Sequence, residues 1–186
     1  MRLSALLVVS TTLLLGAAPL QAAKSGGGKH FVLNLVGAGG MYESTVPDID
    51  GDGVDDPAIC FDIELINGKN RQLIGTATDC LSNVTPTGTG VALVGTTYFH
   101  LPQGMLVTRG NTSVQPVLHP TMTPSGQLVT HVTGASGTGN GVLMGTGRFA
   151  GASGTVRLSG MVDMSMFGGG PGDPIGFDCL FVIDLY

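Results

Sequence analysis

Glycine sets what this chain can build. Thirty-one of its 186 residues are glycine, and they fall between short apolar-alternating runs without a Gly-X-Y period. That spacing excludes a collagen-like helix and reads as turn punctuation between strands. After residue 23, no long segment carries the i, i+3, i+4 apolar pattern of an amphipathic helix. About eight or nine short strands with almost no helix predict an all-β sandwich or barrel, and alternation alone does not choose between them.

The alternation places strands over 30–36, 58–66, 71–78, 91–101, 105–109, 127–133, 141–145, 155–164 and 175–185. Residues 114–118 either continue the fifth of these or bulge from it. Residues 37–57 read as a long connection, 83–90 as a Thr/Gly/Pro loop and 165–174 as a glycine loop. Asn67-Gly68 is a hairpin turn signal between the second and third runs.

Met1-Arg2, the apolar run Leu3–Leu15 and the small residues of Ala17–Ala23 have the order of a secretory signal peptide, expected to span 1–23. The run is short for a membrane span. Residues 24–29, Lys-Ser-Gly-Gly-Gly-Lys, read as a flexible linker, and 30–186 as one domain. A secreted or periplasmic protein, free of the membrane once cleaved, is the expectation. There an oxidising compartment would pair two of Cys60, Cys80 and Cys179. Cys60–Cys80 is preferred because both flank one predicted hairpin. A two-residue turn at Gly68-Lys69 would place residue 77 opposite Cys60, so that pairing needs a bulge or a loop position for Cys80.

The chain carries a net charge of −5 and few charged residues. No clustered Lys and Arg are available for a nucleic-acid backbone or an anionic membrane surface. Seven Phe, three Tyr and no Trp argue against a stacking platform for sugars or nucleotides.

Four segments carry a family likeness. Arg71-Gln-Leu-Ile-Gly-Thr76 looks like a strand with a V-G-x-A-x-G pattern. Thr97–Gly110 has an aromatic strand turning through glycine into a second strand. Gly145-Thr-Gly-Arg-Phe-Ala-Gly151 matches a G-T-G-K/R-F-x-x-A-x-G element, and Phe177–Asp184 resembles a closing strand. Together they resemble the allene oxide cyclase and dirigent barrel families over most of 58–186. The resemblance implies a closed antiparallel eight-stranded β-barrel around an apolar cavity. Members of these families cyclise a fatty-acid oxide or guide phenoxy-radical coupling, and several are trimers. The resemblance therefore implies a small apolar partner, an isomerase- or cyclase-like activity if the chain is an enzyme, and a homo-oligomer; no organic cofactor is expected. Catalytic residues of those families do not map onto a shared motif here. Within the Gly145–Gly151 element, Phe149 is expected to plug one barrel end.

Asp48-Ile-Asp-Gly-Asp-Gly-Val-Asp-Asp56 is the second informative stretch. Carboxylates at relative positions 1, 3 and 5 with glycine at 6 match the opening of a calcium loop. Asp48, Asp50, Asp52, Asp55 and Asp56 are the candidate Ca²⁺ ligands. Position 12 is Ile59 rather than Glu, so a helix-loop-helix site is not expected; a solvated acidic turn is the plain alternative.

Other chemistry is sparse. His30, His100, His119 and His131 lack the short pairings of zinc sites. Tyr98 and His100 share one strand face and would be candidate acid-base groups if that face points inward. Asp62 and Glu64, and likewise Asp178 and Asp184, lie opposite the more apolar faces Phe61/Ile63/Leu65 and Phe177/Phe181/Ile183, and are expected to point outward or to a subunit contact. Two function classes result: a barrel that binds or transforms a small apolar ligand, and a structural or interaction protein of the cell exterior stabilised by Ca²⁺.

Overall fold

The computed structural model describes residues 28–123, 126–168 and 170–186. The expected leader and most of the expected linker lie outside them. The strands are β1 (Lys29–Gly40), β2 (Tyr42–Val46), β3 (Asp56–Asn67), β4 (Leu73–Thr87), β5 (Gly90–Leu101), β6 (Gly104–Met122), β7 (Leu128–Ala135), β8 (Gly141–Gly145), β9 (Gly154–Asp163) and β10 (Pro174–Leu185).

The order β1-β10-β9-β7-β6-β5-β4-β3 is closed by antiparallel pairing of β3 back onto β1. Eight antiparallel strands therefore form a closed barrel. The two short strands complete staves. β1 pairs β3 over Leu33–Val36, and β2 takes over at Tyr42–Val46. β7 pairs the distal half of β6, and β8 the half near Leu106.

Alternation located most strands but missed three features. β2 lies inside the expected 37–57 connection. Its five residues are mostly exposed, so it has no buried face to show in sequence; its backbone bonds to β3 hold it. β4 runs to Thr87, through the expected loop at 83–90, because Thr85–Thr87 pair with Gly90–Ala92 across a tight turn at Gly88. β6 runs on through 114–118, the continuation left open above, and beyond it to Met122; its register slips between Pro116 and Thr121, where a proline cannot donate to a ladder.

The interior follows the period of two. Phe61, Ile63 and Leu65 on β3 and Phe177, Phe181 and Ile183 on β10 are buried in one core. Asp62, Glu64 and Asp184 on the alternate positions are exposed and Asp178 is half-buried. Phe61 meets Phe177 edge-on at 5.3 Å between ring centroids, and Phe99 meets Phe181 at 5.2 Å. Such T-shaped pairs contribute about 1 kcal/mol beyond their burial.

The Gly145–Gly151 element packs against one end of the barrel. It forms a short 3₁₀ turn over Gly147–Phe149, with Phe149 buried edge-on to Phe31 at 5.9 Å. The turn locks onto the β5–β6 hairpin: Thr146 N–H donates to Met105 O at 2.8 Å and Arg148 N–H to Gln103 O at 2.9 Å. A Cβ on Gly147, where φ is +57°, would lie 2.3 Å from Gln103 O. Only glycine fits that conformation and that approach.

A second, smaller core lies outside the barrel wall. Val46, Ala58, Cys60 and Cys80 are buried there, with Ile49 and Tyr98 packed against them. Cys60 and Cys80 are joined in a disulfide. They stand directly opposite one another, because the β3–β4 turn is longer than two residues and the register shifts between Leu65 and Ile66.

Candidate functional site

Toward the end opposite Phe149, the barrel encloses a cavity of about 170 Å³. Phe61, Phe177 and Phe181 line its inner part. Val84, Val91, Val114, Met164 and Phe167 line it nearer the mouth, where Val84 is exposed. The remaining wall is almost wholly apolar; its polar groups are the hydroxyls of Thr97, Thr108, Thr112 and Thr133 and the carboxyl of Asp79.

Asp79 is the one ionisable side chain among the described residues lining this cavity. It sits on β4 between Ala77 and Leu81, on the inward parity, and is only 4% exposed. The register sets it beside Phe61 on β3 and Thr97 on β5, and Thr97 beside Thr108 on β6. The Thr97 hydroxyl donates to Asp79 Oδ1 at 2.7 Å. Burial pushes the carboxyl up to about 7, against the pull of the Thr97 hydroxyl and the Cys80 backbone N–H, which favour the charged form. A titratable group poised near neutrality in a cleft is a mark of a functional site.

Cys179, the leftover thiol, is free and fully buried in the same core. Burial, and then the charges of Asp79 and Asp178, raise its pKa, so it stays protonated and inert.

Tyr98 and His100 do not face the cavity; Phe99 between them is fully buried in the barrel core. Tyr98 packs in the outer core beside the disulfide, and burial raises its pKa with Arg109 opposing. His100 is exposed, its Nε2 3.4 Å from the Thr78 hydroxyl. The inward condition under which these two were acid-base candidates is not met. The sequence reading passed over Asp79 because it ended the strand at Thr78. Extended by three residues, Ala77, Asp79 and Leu81 share the parity of the apolar face, and that signal was available.

The acidic loop folds over the outer core. Oxygens of Asp48, Asp50 and Asp56 lie within 4.8 Å of one another; Asp52 and Asp55 are not in that group. Asp52 Oδ1 accepts Val54 N–H at 2.8 Å. Asp48 accepts Gly51 N–H at 2.6 Å and Gly53 N–H at 2.8 Å, bonds that lower its pKa and keep it charged. Asp56 Oδ2 accepts Ile49 N–H at 2.6 Å. Arg109 reaches up from β6 to hold the loop, donating to Asp48 O at 2.9 Å, to Pro47 O and to the Thr96 hydroxyl at 3.1 Å. Three converging carboxylates fit a hard divalent cation.

No helix among the described residues is long and apolar enough to cross a membrane. No protein-family profile matches the chain, and no curated protein matches it.

Proposed function

We propose that this protein is an exported barrel that binds a compact apolar molecule in its lumen. The observation that carries the reading is the apolar cavity of about 170 Å³ with one carboxyl, that of Asp79, among the described residues of its wall. A lumen filled by side chains would have served a purely structural barrel. An engineered apolar cavity of about 150 Å³ holds benzene, so a ring-sized ligand fits here. The disulfide is compatible with an oxidising compartment, secreted or periplasmic. The resemblance to allene oxide cyclase and dirigent barrels supports the same reading and extends it to guidance of an isomerisation or cyclisation by a preformed cavity. Native mass spectrometry of protein purified from its source is the test. A co-purified small molecule that an apolar competitor displaces is expected. Ligand-free protein whose melting temperature ignores apolar probes would overturn the reading.

A second reading concerns the loop. The convergence of Asp48, Asp50 and Asp56 supports Ca²⁺ as a staple that holds the outer core, the role it would have in a structural protein of the cell exterior. Ca²⁺ is then expected to raise the melting temperature, EDTA to reverse the gain and Asp48→Asn to abolish it. Superimposable melting curves with Ca²⁺ and with EDTA would remove the site.

A further inference from the structure

We propose that the cavity recognises an apolar amine, whose ammonium group pairs with the carboxylate of Asp79 while its hydrocarbon body fills the lumen. The inference rests on the barrel's being a ligand-binding protein and names the ligand class.

The argument begins with what surrounds Asp79. Two donors point at its carboxyl, the Thr97 hydroxyl at 2.7 Å and the Cys80 backbone N–H. The Cys80 N–H can only donate and so favours a carboxylate, and the Thr97 hydroxyl, which can donate or accept, is placed to donate to it as well. No Lys, Arg or His lies among the described residues lining the cavity, so none of them supplies the positive half of a buried ion pair. Arg109, on β6 beyond β5, is turned to the outer face and occupied by Thr96, Pro47 and Asp48. A buried carboxylate without a cation is costly, and a partner that supplies one removes the cost.

The rest of the wall fits the rest of such a molecule. Phe61, Phe177 and Phe181 line the cavity, and aromatic faces attract an ammonium as well as its hydrocarbon. The opposite class is disfavoured: a ligand carboxylate would meet Asp79 with no cation in the wall to receive it. The titratable neighbours do not compete. Phe61 flanks Asp79 on β3 and Thr97 on β5, and Cys179 of β10 is held protonated by burial.

Cyclohexylamine and cyclohexanol, alike in size and differing in charge, are the probes, titrated into the protein and followed by amide shifts of Thr97 and Thr108. At about pH 8, where an alkylamine is still protonated, the amine is expected to bind at least roughly tenfold more tightly. Lowering the pH to about 5 should protonate Asp79 and erase that preference, because only the amine needs the carboxylate. This comparison uses the unaltered protein. Asp79→Asn should abolish both the preference and its pH dependence. Equal affinities at about pH 8, or a preference that survives Asp79→Asn, would overturn the assignment while cyclohexanol binding left the ligand-binding barrel standing. Failure of both probes to bind would overturn the amine assignment together with that broader reading.

Discussion

Arg109 Nη1 donates to the backbone carbonyl of Asp48 at 2.9 Å, and that bond ties the acidic loop to the barrel wall. The residues sit on different layers: Arg109 is on β6 in the wall, and Asp48 begins the loop that covers the outer core. Its guanidinium also bonds Pro47 O and the Thr96 hydroxyl. Five fixed donors suit such a multiple anchor.

Arg109→Ala is therefore expected to loosen the loop before the barrel. The three bonds are charge-assisted but half-buried, so a loss of about 3 kcal/mol is expected. Hydrogen exchange should speed at Gly51, Gly53 and Val54 and stay slow on β10. Arg109→Lys should recover only part of the loss, since one ammonium cannot span all three acceptors. Unchanged loop protection in Arg109→Ala would show that the outer core alone holds the loop.

Cys60 and Cys80 close a segment with a sequence separation of 20. Chain-entropy arguments give a bridge over a loop of that length about 3 kcal/mol. The double substitution Cys60→Ala/Cys80→Ala is expected to lower the urea midpoint accordingly without changing the barrel's circular dichroism. Cys179 should remain unmodified by iodoacetamide in the native protein with or without the bridge, because it lies on the other side of the wall. Labelling of Cys179 in the native double variant would mean that the bridge closes the barrel itself.

The barrel's inner face was legible because Phe61, Ile63 and Leu65, and Phe177, Phe181 and Ile183, repeat at the strand period and stand opposite polar neighbours. The Phe149 plug was legible through a motif, and its physical cause is the close approach of Gly147 to Gln103. Barrel closure was not legible from alternation. It depends on β3 finding β1, a pairing between Leu65 and Leu35 that no local pattern encodes. The acidic loop could be read as a cluster, but not that Asp48, Asp50 and Asp56 are the carboxylates that converge, because the backbone path that brings them together is not revealed by their spacing. Asp79 was missed by one residue of strand length. The parity it shares with Ala77 and Leu81 was legible, but its neighbours Phe61 and Thr97 come from other strands and no local pattern places them beside it.

Asp79 makes the stability of the ligand-free protein depend on pH in a characteristic direction. In the folded chain the carboxyl keeps its proton up to about pH 7, whereas an unperturbed Asp releases it near 3.8. Between those values the folded state binds more protons than the unfolded state. Stability therefore falls as pH rises through this window, by about 1.4 kcal/mol per unit, and levels off once both states are ionised. The whole loss is on the order of 4 kcal/mol. Asp79→Asn cannot ionise, so its urea midpoint should overtake that of the unaltered protein as pH rises from about 4 to 8. Asp48 pulls the other way, since its lowered pKa makes stability fall under acid; taking the difference between the two proteins removes that contribution. A difference that stays flat across the window would mean that Asp79 is no more costly to ionise when folded than when unfolded. If the difference does rise, the barrel tolerates a destabilising carboxyl at neutral pH where Asn, Thr or Val would be stable, and such a local violation is expected at a site kept for binding.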